Sequence, residues 1–340
     1  MENAISISNS EVEVLLRSRM GELTLMADNV RARFCGDEVH LRGVIEFSNF
    51  CSRDCLYCGL RRSNKKLTRY RMTKEEIIEY ALSAAYKGIK TIVLQSGDDF
   101  EYSADVISEI IQTIKEKADV AITLSVGERD YRDYQLWKEA GADRYLLKHE
   151  TANPLLYSEL HPGQTLKDRL KILGWLRELG YQVGTGNIVG LPGQTPKDLA
   201  DDILLMKELD VEMAGISPFI PHPDTPLGRE RGGTLNMTLK VLAVARIILK
   251  DVHLPATTAV GSIHPQGREM ALKAGANIVM PNITPKQYRP LYQIYPGKIC
   301  LDEDLQDCLG CLTKRLKSCG RKIAQNKGHS LKWCHNAKNT

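Results

Sequence analysis

The sequence predicts an α/β chain built as a (β/α)8 TIM-type barrel, with an N-terminal helical extension and a C-terminal tail. Three observations predict it. Eight segments rich in Val, Ile and Leu recur between residues 39 and 282. Each precedes a stretch of helical spacing, the pattern of parallel strands joined by crossover helices. Eight such pairs in about 255 residues suit a closed barrel. A doubly wound open sheet is the alternative that periodicity leaves open.

Residues 10–34 read as two short helices, and VHLRGVIEF (39–47) as the first strand. TKEEIIEYALSAAYKG (73–88) is a helix: Thr73 and Glu76 have capping-box spacing and Gly88 can end it. Strands are then expected at 91–97, 120–127, 144–150, 182–190, 213–219, 254–260 and 277–282. Helices are expected at 103–117, 131–141, through about 180, at 196–208, 237–250, 265–274 and 285–294. The expected organisation is an extension over 1–35, a barrel with a cysteine-bearing end over 36–311, and a mobile basic tail over 312–340.

The 340 residues are 43% hydrophobic, enough for a full core, and no run of 18 apolar residues suggests a membrane span. The N-terminus has no basic stretch followed by an apolar one, so a cytoplasmic location is expected. The net charge of +4 is uneven, because residues 312–340 carry eight Lys or Arg and no acid. A basic end of this kind is ordinarily solvated, and the body gives no reason to expect nucleic acid.

Nine cysteines without an export signal point to metal or redox chemistry rather than disulfides. Cys51, Cys55 and Cys58 stand at C-x3-C-x2-C after the first strand. Three thiolates make a poor zinc set, which wants four ligands. They suit a [4Fe–4S] cluster with one iron left open to a small molecule. In a barrel the reactive groups gather where strands end, so Ser96, Gly97, Glu128, His149, Glu150, Thr257 and Thr258 should converge on this loop.

C-x3-C-x2-C on such a chain resembles the radical S-adenosylmethionine (SAM) superfamily. The stretches KTIVLQSGDD, GADRYLLKHETANP, IVGLPGQT, PFIPHPDTPL, PATTAVGS and LYQIYPGKIC further resemble the HydE-type maturases of [FeFe]-hydrogenase. The resemblance implies that the open iron holds SAM by its amino and carboxylate groups, and that one electron splits it to a 5′-deoxyadenosyl radical. It implies work on an iron–carbonyl–cyanide–cysteine synthon during assembly of the diiron subcluster of the hydrogenase H-cluster. It also implies HydF- and HydG-type partner maturases and a reductant such as ferredoxin or flavodoxin.

Carried onto this chain, the resemblance puts Ser96 and Gly97 beside the SAM amino group and Glu150 on its ribose. Arg169 would meet the SAM carboxylate, Gly190 would pass the adenine, and Tyr57 would shield the cluster or reach its ligand. Glu150 has the alternative of pairing with Arg144 or Lys148. Thr257, Thr258, Tyr292 and Tyr295 resemble residues of the substrate end, although threonines also simply form strands well. Arg42, inside a strand, is expensive to bury without an anion and is a candidate for a substrate carboxylate. Cys300, Cys308 and Cys311 resemble an additional site for a [2Fe–2S] or [4Fe–4S] cluster. Biotin synthase is disfavoured, because no cysteine lies between Cys58 and Cys300 to hold its sulfur-donating cluster. A methylornithine-synthase-like amino-acid mutase and a non-catalytic iron–sulfur carrier stay open.

Overall fold

The computed structural model describes residues 7–332. Two helices, α1 (Asn9–Arg17) and α2 (Met20–Cys35), precede the barrel and pack on its outside. Its strands are β1 (Glu38–Ser48), β2 (Thr91–Ser96), β3 (Ala121–Ser125), β4 (Arg144–Leu146), β5 (Gln182–Val189), β6 (Met213–Pro218) and β7 (Ile278–Val279). All neighbours are parallel, in the order β6-β5-β4-β3-β2-β1-β7. The crossover helices are α3 (Lys74–Tyr86), α4 (Ala104–Lys117), α5 (Tyr131–Glu139), α6 (Pro154–Leu160), α7 (Leu166–Glu178), α8 (Pro196–Glu208) and α9 (Leu235–Leu249). Thr73 caps α3 and Glu76 returns to its amide, the capping box the sequence announces. The core fills the layer between strands and helices, with Ile45, Ile92, Leu124, Tyr145 and Trp137 fully buried.

Two expected elements differ. The stretch 254–260 is not a strand. The ring closes there through single bridges, Met213 to His253 and Pro255 to Ile278, and Thr257 then caps α10 (Thr258–Ile263). The threonine hydroxyl accepts from the Val260 amide, so a residue that favours strands serves here as a helix cap. Helix α11 (Gly267–Lys273) follows as expected, but 285–294 holds only a 3-10 turn at Arg289–Leu291. Pro285 and Pro290 remove two amide donors from that stretch.

The basic end is also different from the expected mobile tail, at least to residue 332. Helix α12 (Leu305–Ser318) runs straight across the expected boundary at 311/312. The chain then pairs β8 (Lys322–Ile323) with β1 and crosses the N-terminal mouth of the barrel. There the Lys327 carbonyl accepts from Arg144 Nη2 at 2.7 Å and from Thr91 Oγ1 at 2.8 Å. His329 Nδ1 lies 2.8 Å from Gln182 Nε2, and the Ser330 amide donates to Gln182 Oε1 at 2.7 Å. Buried guanidiniums and amides need acceptors, and this segment supplies them.

Candidate active site

β1 ends at Ser48 and the cysteine loop follows. The loop after β2 is laced to it. The Gly97 amide donates to the Ser48 carbonyl (3.3 Å), the Ser52 amide to the Asp98 carbonyl (2.9 Å), and the Asp98 amide to Cys51 Sγ (3.4 Å). Gly97 is required by this approach: a Cβ there would stand 2.2 Å from the Phe50 carbonyl oxygen and 2.8 Å from Cys51 Cβ.

Cys51, Cys55 and Cys58 are free and partly buried. Burial pushes the Cys58 thiol up to about 12 and Cys55 well above its ordinary value, and the neighbouring thiols push the same way. These thiols stay protonated on their own and would give up their protons only to a cationic centre bound among them. An iron–sulfur cluster supplies that charge and takes this donor set. Among the described residues no three His, Cys, Asp or Glu side chains stand close enough to hold a single metal ion. A four-iron cube is wider than an ion and spaces its ligands further apart.

The three cysteines line a cavity of about 390 Å³ that enters the barrel from the C-terminal ends of the strands. On one side lies a chain of ion pairs. Arg53 Nε meets Asp98 Oδ2 at 2.7 Å and its Nη2 meets Glu128 Oε2 at 3.1 Å, while Arg169 Nε donates to Glu128 Oε1 at 2.7 Å. Arg169 Nη1 is used by the Lys148 carbonyl at 2.8 Å, and no hydrogen bond among the described residues uses its Nη2. Burial works against the Arg169 charge, but Tyr157, Glu128 and Asp98 around it hold the guanidinium firmly cationic.

Glu150 lines the same cavity, with φ +63°, a left-handed backbone that a glutamate adopts only under constraint. Burial opposes its ionisation, yet Lys148, with Nζ 2.9 Å from Oε2, holds the carboxyl below its ordinary value. Oε2 is held by the Lys148 ammonium, and among the described residues no hydrogen bond engages Oε1. The Lys148 alternative is thus present, and it leaves an acceptor free. Tyr57 lines the cavity too, but its hydroxyl is engaged 2.9 Å from His161 Nε2. Burial lowers His161 to about 4, so the ring is neutral; Nδ1 donates to the Tyr157 carbonyl (2.8 Å) and Nε2 accepts from Tyr57.

Thr257, Thr258, Tyr292 and Tyr295 gather at the far end. Tyr292 Oη accepts from Gln95 Nε2 at 3.2 Å, and Thr258 Oγ1 accepts from Arg268 Nη2 at 3.3 Å. Glu46 and Lys298 form a buried ion pair there, and Asn282 Nδ2 donates to the other Glu46 oxygen at 3.0 Å. Cys300 opens on the cavity, has φ +63°, and lies 3.6 Å from Arg268 Nη1. Cys308 is buried and Cys311 exposed, one turn apart on α12; burial and the Cys300 thiol push Cys308 up to about 11.

Three expected residues are elsewhere. His149 is fully buried with Nδ1 3.0 Å from Thr185 Oγ1 and does not line the cavity. Arg42 faces the barrel floor, where Nη1 approaches Met213 Sδ (2.7 Å) and Nη2 the Gly328 carbonyl (3.4 Å). It shares the inward face of β1 with Glu46, but four residues of strand put it ~13 Å lower. Gly190, with φ +87°, does not line the cavity; a Cβ there would stand 2.4 Å from Gly233 Cα, so it serves a backbone contact. Arg53, Asp98, Gln164, Glu46, Lys298 and Arg268 were not singled out by the sequence. Glu46 carried a signal of the same kind as Arg42, a charge within an apolar strand.

The model of the Radical SAM superfamily matches residues 45–206. A Thermotoga maritima protein described as [FeFe] hydrogenase maturase subunit HydE is 56% identical over 303 residues, covering 89% of this chain and 87% of the relative. The crystal structure of a methylornithine synthase superposes with a TM-score of 0.83 at 27% identity, covering 94% of this chain and 95% of that one. The maturase HydG from Carboxydothermus hydrogenoformans shares the fold, with a TM-score of 0.76 at 21% identity over 94% of this chain and 76% of its own. With this identity over nearly nine-tenths of its length, the chain belongs to the radical SAM superfamily and, within it, to the HydE family of maturases.

Proposed function

We propose that this chain binds a [4Fe–4S] cluster on Cys51, Cys55 and Cys58, cleaves SAM reductively, and acts on an iron–carbonyl–cyanide–cysteine synthon during assembly of the [FeFe]-hydrogenase diiron subcluster. The observation that carries this reading is one cavity lined by three free cysteines and a buried carboxylate with one oxygen that no hydrogen bond among the described residues uses. When bound, the cluster and SAM supply one electron and a sulfonium, and hence a carbon radical. The protein holds and orients.

In this reading Glu150 Oε1 accepts from a ribose hydroxyl, and Arg169 Nη2 is turned to the SAM carboxylate. Ser96 and Gly97 line the wall beside Cys51, where close backbone approach leaves room for an amino group. Thr257, Thr258, Tyr292 and Tyr295 surround the substrate. Cys300, Cys308 and Cys311 are the ligands of an additional [2Fe–2S] or [4Fe–4S] cluster. HydF- and HydG-type maturases are the partners, and a ferredoxin or flavodoxin the reductant.

The test is anaerobic reconstitution, SAM and dithionite, followed by assay of 5′-deoxyadenosine and of hydrogenase activation when this chain replaces a known HydE. Both should be positive. The likeness to methylornithine synthase favours one alternative, an amino-acid mutase. Radical formation with an amino acid converted to methylornithine, and no hydrogenase activation, would choose it.

A further inference from the structure

The cysteine loop lies under an exposed and strongly basic rim. Between Ser52 and Arg71 the sequence has seven Lys or Arg and a single acid, Asp54. Part of that charge is internal. Arg61 pairs with Asp54, Lys66 with Asp224 and Arg71 with Asp99. Arg69 is spent as a staple, with donors on the Leu60, Arg61 and Asn64 carbonyls. The staple matters, because it presses 60–64 against the cysteine loop, where the Arg62 amide donates to the Arg53 carbonyl at 2.8 Å and the Arg61 amide to the Cys58 carbonyl at 3.1 Å.

On the other flank, the Leu227 amide donates to the Leu56 carbonyl at 3.3 Å and brings 227–231 against the same loop. Arg62, Lys65, Arg229 and Arg231 are exposed and have no ion pair among the described residues. Glu230 is the exposed acid between the last two. Elsewhere around the cysteine loop, the Phe50 ring next to Cys51 lies 3.7 Å from the Arg71 guanidinium, and on the loop after β2 Phe100, 55% exposed, has the Arg129 guanidinium 4.3 Å from its ring. Aromatic and arginine side chains with surplus cations around them are the composition of a protein-docking surface.

We propose that this rim, centred on Arg62, Lys65, Arg229 and Arg231, docks the acidic face of a small one-electron carrier protein. The inference rests on the radical SAM reading, which needs one electron per SAM cleaved. The carrier is oxidised by one electron and the cluster under the rim is reduced by one; no atom is transferred. The four unpaired cations sit on the segments bonded directly to the cysteine loop. Opposite charges steer such an encounter and bring the redox groups into register, while leaving the complex weak enough to part.

The experiment uses the reconstituted full chain and an acidic flavodoxin as the probe. The variants are Arg62→Glu with Lys65→Glu, Arg229→Glu with Arg231→Glu, and Lys314→Glu with Lys317→Glu on helix α12, which belongs to neither rim segment. Binding of oxidised flavodoxin is measured at rising ionic strength, and 5′-deoxyadenosine is measured with flavodoxin hydroquinone and, separately, with dithionite. The rim variants should lose roughly tenfold or more in flavodoxin affinity and flavodoxin-driven rate, with a flatter salt dependence. Their dithionite-driven rate should match wild type, and the α12 variant should match it in every arm. Unchanged flavodoxin binding in both rim variants, or an equal loss in the α12 variant, would overturn the proposal. Absence of dithionite-driven cleavage in wild type would instead overturn the reading beneath it. A rim that binds a purified partner maturase or RNA but no flavodoxin would also overturn it.

Discussion

The Asp98 amide lies 3.4 Å from Cys51 Sγ, so the loop after β2 donates directly to the first cysteine of the triad. The same aspartate accepts from Arg53 of the cysteine loop and, through Oδ2, from the Glu128 amide at 3.2 Å. One side chain thereby ties together the ends of β1, β2 and β3. An N–H aimed at a thiolate stabilises its charge, and the ties fix where that charge sits.

Gly97→Ala tests the fit between the two loops. The added methyl would meet Phe50 and Cys51 backbone and side-chain atoms at 2.2–2.8 Å, contacts that neither loop can relieve alone. The variant should lose about 1–3 kcal/mol of stability, as overpacking does, and retain substoichiometric iron after reconstitution. Denaturant melts and iron content check this; full iron loading with wild-type stability would show that the close approach is dispensable.

Glu150→Gln keeps the shape and removes the charge. SAM affinity should fall roughly tenfold or more, as expected when a charged acceptor is made neutral. Because Lys148 holds the Glu150 carboxyl below its ordinary value of 4.5, the folded protein stays ionised where the unfolded chain takes up a proton. Its contribution to stability is complete above the unfolded pKa and is lost as pH falls through the lower folded one. The variant should therefore show a shallower acid limb than wild type in pH-dependent melts, with calorimetry reporting the SAM affinity.

His329→Ala and deletion of 321–340 test the floor of the barrel. Deletion leaves the Arg144 and Arg42 guanidiniums without the Lys327 and Gly328 carbonyls, at about 1–3 kcal/mol for each buried donor orphaned. Burial lowers His329 to about 4, so it stays neutral in the fold. Its share of stability is complete above the unfolded value near 6.5 and disappears as pH falls through 4. Thermal melts from pH 7 to 4 should show His329→Ala converging on wild type at the acid end. A deletion as stable as the full chain would mean that the docked segment contributes nothing.

The barrel was legible because its strands are continuous apolar runs and its helices carry caps such as Thr73, both local signals. The stretch 254–260 was not, since its composition is strand-like and only the tertiary bridges, one residue pair on each side, show how the ring closes there. The docked tail was hidden for the opposite reason. Its composition is that of a solvated end, but its backbone carbonyls, invisible to any side-chain pattern, are what Arg42 and Arg144 require. The triad, Glu150 and Arg169 were legible through motif resemblance, and the structure gathers them on one cavity. The ion pairs around them were not, because Arg53, Asp98 and Glu128 come from three separate loops.

The most direct measurement is electron paramagnetic resonance of the anaerobically reconstituted, dithionite-reduced protein, with and without SAM. A reduced [4Fe–4S] signal whose line shape changes on adding SAM is expected, with Cys51→Ala losing that response and Cys311→Ala keeping it. A wild-type signal indifferent to SAM, or a SAM response that survives in Cys51→Ala, would contradict the account.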